Sequence, residues 1–375
     1  MKIAFDSQIF TMQRYGGVSR YIVRLAEALG HSGHEARVFG KWHINHYLAE
    51  AEGIEDDRLR KIPKFPWRTR RLLHRYNDLV ASRRISTWGG DIVHESYFGE
   101  RAVGPKGVPR VCTVHDMIDE RMPDLFGERN RSTELKKMAV MRSDHIICIS
   151  NKTKEDLIEI FGTEEEKISV IYHGSEWLDP ISSHLLKEEP PLSESQQKPY
   201  FLYVGQRNHY KNFGILVKAF GASPRFKKDF QIKLFGGPQL SKEESEMFGE
   251  LGISSTSVIH ESGSDLDLAK LYRNAVALVY PSTYEGFGLP PLEAMTQGCP
   301  VIASSSAPMP EVIGPAAEYF DPSSIDDLLR ALDKFAYSVT RRQELIELGY
   351  ERAKDFSWRR CALETIKVYR GVSRR

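Results

Sequence analysis

The stretch Ala275-Val276-Ala277-Leu278-Val279-Tyr280-Pro281-Ser282-Thr283-Tyr284-Glu285-Gly286-Phe287-Gly288-Leu289-Pro290-Pro291-Leu292-Glu293-Ala294-Met295 carries three signals in order. Ala275–Tyr280 is an unbroken apolar run of strand length, the composition of a strand covered on both faces. Pro281-Ser282 ends it. Glu285-Gly286-Phe287-Gly288 is a loop whose glycines let backbone N–H groups come close to a ligand. Pro290-Pro291 then introduces Leu292-Glu293-Ala294-Met295, which is helix-prone, and proline is at home in a first helical turn. A strand, a glycine loop and a helix N-terminus form an anion site, because unpaired N–H groups and the helix dipole both face the ligand. Glu285 and Glu293 bracket the loop. A carboxylate accepts two hydroxyl hydrogen bonds at once, which suits a vicinal sugar diol. Taken singly, Glu293 reads equally as a dipole partner and Glu285 as a loop charge. The whole string describes a phosphate pocket with a sugar on each side.

The same grammar extends in both directions. Strands are expected at Lys2–Ser7, Ala36–Phe39, Asp91–His94, Arg110–Val114, His145–Ile149 and Ile168–Ile171. A second series is expected at Tyr200–Val204, Gln231–Phe235, Ser257–His260, Ala275–Tyr280 and Pro300–Ala303. Helical stretches lie between them, and strands alternating with helices imply parallel sheets. Residues 187–199 are polar, proline-containing and aperiodic, which suits a linker. The expected layout is a first domain over 1–186, the linker over 187–199, and a second domain over 200–355. A closing segment, 356–375, contains an amphipathic helix over Trp358–Tyr369. Both domains are α/β and Rossmann-like, facing across a crevice, and ligands of open α/β sheets sit beyond the carboxyl ends of the strands.

Composition narrows the class. The 375 residues exceed what one core usually serves, and the net charge of +1 gives no reason to expect nucleic acid. Cys112, Cys148, Cys299 and Cys361 stand far apart, with neither metal-ligand spacing nor a disulfide framework. No apolar run is long enough to cross a membrane, and the first residues lack a signal-peptide core. The expected location is the cytoplasm, with the inner membrane face as a site of peripheral contact.

The string Glu285 to Glu293, continuing through Gln297-Gly298-Cys299-Pro300-Val301-Ile302-Ala303-Ser304 to Pro310-Glu311-Val312, resembles the signature of retaining glycosyltransferases of the GT-B fold, family four. The resemblance runs from Gly16-Gly17 to Phe356-Ser357-Trp358, and it implies that the first domain binds the acceptor, the second the nucleotide sugar, and that the C-terminal helix crosses back to the first domain. It implies that Glu285 contacts the donor sugar and Glu293 the ribose hydroxyls. Gly286, Phe287, Gly288 and Leu289 would bring backbone to the diphosphate and sugar. It places an Arg and a Lys after the first strand of the second domain, where Val204-Gly205-Gln206-Arg207-Asn208-His209-Tyr210-Lys211 stands. Lys211 fits directly. Gln206 occupies the position where many members carry the Arg, so that role passes to Arg207. His115, ending the strand Cys112-Thr113-Val114, would lie near the donor sugar, with Asp116 orienting it or capping a turn. Gly16-Gly17 would lie near the donor phosphate. Ser150 reads as a helix cap for Asn151–Ile160. Tyr172-His173-Gly174-Ser175-Glu176 departs from the family pattern and receives no role.

The resemblance implies transfer with retention by front-face attack, with Lys211 and Arg207 holding the leaving diphosphate. No Asp-x-Asp motif stands near a strand end, so no metal and no cofactor are expected beyond the donor itself, a UDP-sugar or GDP-sugar of the mannose or glucose type. The expected acceptor is a glycan or lipid-linked oligosaccharide, as in bacterial surface-polysaccharide synthesis. The basic, aromatic-rich segment Arg58–Arg84 suits an anionic lipid surface or a solvated face. Three other readings share the architecture: a sugar-nucleotide epimerase, a phosphorylase with pyridoxal phosphate, and an inactive binding module.

Overall fold

The structure is a computed structural model that describes residues 1–54, 56–65, 70–127, 131–175, 198–207 and 209–374. Most of the expected linker therefore lies outside the described residues. The chain divides into two compact units, Met1–Gly174 with Trp358–Arg375, and Ser175–Ser357.

The first unit is built on a six-stranded parallel sheet. Its strands are β1 (Lys2–Asp6), β2 (Glu35–Phe39), β3 (Ile92–Glu95), β4 (Arg110–Val114), β5 (His145–Cys148) and β6 (Ile168–Val170), in the order β2-β1-β3-β4-β5-β6. Residues of β3 and β4 are buried on both faces, as central strands of a parallel sheet are. Helix α1 (Gly17–His31) follows β1 and packs Tyr21, Ile22, Leu25 and Leu29 into the core. Helix α2 (Arg70–Trp88) precedes β3.

The second unit repeats the plan with β7 (Tyr200–Val204), β8 (Gln231–Phe235), β9 (Val258–Glu261), β10 (Ala277–Tyr280), β11 (Val301–Ser304) and β12 (Ala317–Phe320). Their order is β9-β8-β7-β10-β11-β12, all parallel. Strand order reverses between β7 and β10, and such a switch point is where loops from adjacent strands diverge and leave room for a ligand. Helix α3 (Phe213–Ala222) follows β7, and helix α4 (Leu289–Thr296) follows β10.

The last helix, α5 (Trp358–Ser373), belongs to the first unit. Trp358, Cys361, Ala362, Ile366, Tyr369 and Val372 join the core that α1 lines. Gly174 passes so close to the start of α5 that a Cβ there would stand 2.3 Å from the Trp358 backbone nitrogen. Strand β12 was absent from the sequence reading. Its four residues Ala-Glu-Tyr-Phe are half-polar and follow Gly314-Pro315, so no apolar run announces them.

Candidate active site

The two loops at the switch point of the second sheet are tied together by backbone. After β7 the chain turns through His209–Lys211, then Asn212 takes a left-handed conformation (φ 53°) and anchors its side-chain amide on the Pro322 carbonyl at 2.9 Å. The Tyr210 carbonyl accepts the Thr283 N–H at 2.7 Å. That bond joins the loop after β7 to the loop after β10 and fixes where Lys211 points. Lys211 Nζ donates to Glu285 Oε1 at 2.6 Å, and the Tyr280 hydroxyl donates to the same oxygen at 2.7 Å. Tyr280 is buried, and burial with the adjacent Glu285 pushes its phenol well above the ordinary range, so it stays a donor.

Gly288 sits at φ 103°, a left-handed conformation that favours glycine. It forms the N-cap of α4. Pro290 and Pro291 have no N–H, and the Leu292 N–H already reaches the Gly288 carbonyl. The donors that α4 can offer an anion are therefore the N–H groups of Gly288 and Leu289, fewer than the bare helix start implied. Phe287 turns its ring inward against Phe356 (centroids 5.8 Å apart), leaving its backbone to line the loop. Glu293 is buried on α4, and its Oε2 accepts from the Tyr272 hydroxyl at 3.3 Å.

Arg207, also after β7, is held by the segment that follows β8. Its Nε donates to Glu244 Oε1 at 2.6 Å and its Nη2 to the Pro238 carbonyl at 2.7 Å. The side chain is enclosed, and its charge is answered by Glu244. The structure thus brings Lys211 to Glu285 and fastens Arg207 to the loop after β8. Sequence reading missed Glu244 because it is remote in the chain and carries a capping-box signature of its own, with Ser241.

In the first unit, Gly16 is the N-cap of α1, and Gln13 Oε1 accepts the Ser19 N–H at 3.2 Å in place of a capping side chain on the glycine. His115 follows β4 and is buried edge-on to Tyr21 (5.0 Å) and 5.7 Å from His173. Burial, with Lys136 nearby, depresses its imidazole to about 3, so it is neutral at physiological pH. Asp116 caps the next turn, its Oδ1 accepting the Ile118 N–H at 3.1 Å. Ser150 caps its helix on the Thr153 N–H at 3.1 Å. His173, left without a role, is packed among Tyr21, His115 and Trp358. Among the described residues no group of three or more His, Cys, Asp or Glu side chains could hold a metal ion.

Of the segment Arg58–Arg84, residues 66–69 lie outside the described residues. Phe65 is buried and stacks on His74 (5.2 Å), so it is not a surface aromatic. Arg84 pairs with Asp56, and Arg60 donates to the Asp57 carbonyl at 2.6 Å. On α2 the exposed residues Leu72, Tyr76 and Leu79 recur with Arg75 and Arg83 at helical spacing.

Two family profiles match this chain: "Glycosyl transferases group 1" over residues 187–352 and "Glycosyltransferase Family 4" over residues 15–175. This chain is a glycosyltransferase of the GT-B fold. Among its relatives, an MMP alpha-(1->4)-mannosyltransferase of Mycolicibacterium hassiacum is 25% identical over 94% of each chain. O-antigen chain mannosyltransferase B of Escherichia coli is 26% identical, with 94% of this chain and 96% of the relative covered. Among solved structures, Anabaena HepE in complex with UDP and glucose superposes with a TM-score of 0.70 at 17% identity, covering 98% of this chain and 99% of that one. The GT-B fold with two Rossmann-like domains that the sequence implied is thus the fold of this chain.

Proposed function

We propose that this glycosyltransferase moves a hexose from a nucleotide diphosphate sugar to a hydroxyl of a lipid-linked glycan, with retention at the anomeric carbon and without a metal ion. The observation that carries the reading is the convergence of Lys211, Glu285 and the start of α4 at the switch point of the second sheet. In this reading the Gly288 and Leu289 N–H groups and Lys211 take the diphosphate. Glu293 takes the ribose hydroxyls and Glu285 the donor sugar. The anomeric C–O bond to the diphosphate breaks while the acceptor oxygen bonds on the same face, and the acceptor proton passes to the leaving phosphate oxygen. A fixed cation aimed at the leaving group lowers the barrier because the charge there grows in the transition state. Neutral His115 serves as a hydrogen-bonding group and not as a cation. The mannosyltransferase relatives and the UDP-bound neighbour support a mannose or glucose donor on GDP or UDP.

The test is turnover of UDP-glucose and GDP-mannose in EDTA, with the product's anomeric configuration read by NMR. An α-donor giving an α-product without metal supports the reading. A β-product, or activity that only magnesium restores, contradicts it.

A second observation concerns the surface of the first unit. The Leu72, Tyr76, Leu79 face of α2, with Arg75 and Arg83 beside it, has the composition that settles on anionic lipid. We infer peripheral contact there with the membrane that carries the acceptor. Leu72→Ser with Leu79→Ser weakens cosedimentation with vesicles containing anionic lipid; unchanged binding by the variant would remove the assignment.

A further inference from the structure

Glu285 has two donors on one oxygen. Lys211 Nζ lies 2.6 Å and the Tyr280 hydroxyl 2.7 Å from Oε1, while Oε2 accepts from no described residue. The two donors differ in kind. Lys211 is a mobile cation at the end of a long side chain, 20% exposed, and it is the group the proposed function sends to the diphosphate. Tyr280 is the last residue of β10 and is buried on a strand of the sheet. Its phenol is held in the protonated form, so its O–H stays available to donate to Glu285.

When an anionic diphosphate draws Lys211, Glu285 loses its cation but not its phenol. A carboxylate on a loop has two free torsions at its end, and one fixed donor removes most of that freedom. We propose that Tyr280 is a positioning residue for transfer: it keeps Glu285 in place as Lys211 passes to the donor's diphosphate, and it dedicates Oε1 so that Oε2 faces the sugar. This rests on the transferase reading and adds a residue that reading does not use. The strand position alone gave no hint of it, since Tyr280 closes an apolar run and reads as core.

The experiment is a double-mutant cycle on the full chain with Tyr280→Phe and Glu285→Gln. UDP-glucose and GDP-mannose are the donor probes, and bare UDP and GDP the binding controls. Tyr280→Phe lowers kcat about 10-fold or more, while the Kd of the bare nucleotide stays within about threefold, because the hydroxyl acts through the sugar contact. In the Glu285→Gln background the same substitution adds little, since a residue that works through Glu285 has nothing left to position. A Tm measurement separates this from simple packing, which would cost stability and leave turnover per folded molecule unchanged. Full kcat in Tyr280→Phe, or a loss that adds undiminished to that of Glu285→Gln, overturns the proposal. Wild-type protein that binds neither nucleotide and turns over neither donor fails earlier, at the transferase reading itself.

Discussion

Lys211 and Glu285 lie 74 positions apart and meet at 2.6 Å because one backbone bond, Thr283 N–H to Tyr210 C=O, joins their loops. Lys211→Ala is expected to lower turnover by about 100-fold or more, the usual scale for losing one preorganised charge partner, or about 3 kcal/mol. Bare nucleotide affinity should fall much less; equal losses in kcat and in affinity would mean that Lys211 binds without stabilising the transition state. A second residue makes a pH prediction. Asp6 is wholly buried at the end of β1, and burial, with Glu95 nearby, raises its carboxyl from 3.8 to about 6. Between those values the folded chain holds a proton that the unfolded chain lacks, so this group's stability is present in acid and is lost as pH rises through about 6. Asp6→Asn keeps an acceptor for the Gln8 N–H and Ser96 hydroxyl but carries no charge. It should raise Tm at pH 8 and give little gain at pH 4. An identical Tm difference at both pH values would contradict the assignment. The placement of Lys211, Glu285 and Glu293 beyond β7 and β10 was legible because the strand, the glycine loop and the helix start are each marked in the sequence. The ion pair of Arg207 was not, because its partner Glu244 sits in the first turn of a helix 37 positions away.

At the scale of elements, the parallel strands were legible because buried strands are near-continuous apolar runs, and β4, β7 and β8 fall where the composition put them. Strand β12 was not, being short, half-polar and at the sheet edge. Helix α4 shows the limit of motif reading: its prolines mark the start of the helix correctly and also remove N–H donors from it. Helix α5 was legible as amphipathic from its pattern, while its return to the first unit came from the family resemblance and not from the pattern. It is locked to the first unit partly through the Tyr369 hydroxyl, 2.6 Å from His94 Nδ1, with His94 Nε2 2.9 Å from Thr113 Oγ1. Burial depresses the His94 imidazole to about 3, so the ring is neutral and each nitrogen needs its own partner. Tyr369→Phe leaves one buried nitrogen unsatisfied and should cost about 1–3 kcal/mol. A chemical denaturation curve checks it, and a loss below about 0.5 kcal/mol would show that the bond contributes little.

At the scale of the whole molecule, the second sheet is an open doubly wound sheet whose strand order reverses between β7 and β10. Both loops that carry the candidate donor site leave that point. The central claim is that this site takes a nucleoside diphosphate without a metal ion. The direct measurement is the Tm of wild type and Glu293→Ala with UDP, GDP, ADP and dTDP in EDTA. Ligand at about 100 times its Kd stabilises by roughly 2.7 kcal/mol, which a thermal scan resolves. The account predicts a clear rise with UDP or GDP in wild type and a much smaller one in Glu293→Ala. No rise with any nucleotide, or an equal rise in both proteins, would contradict it.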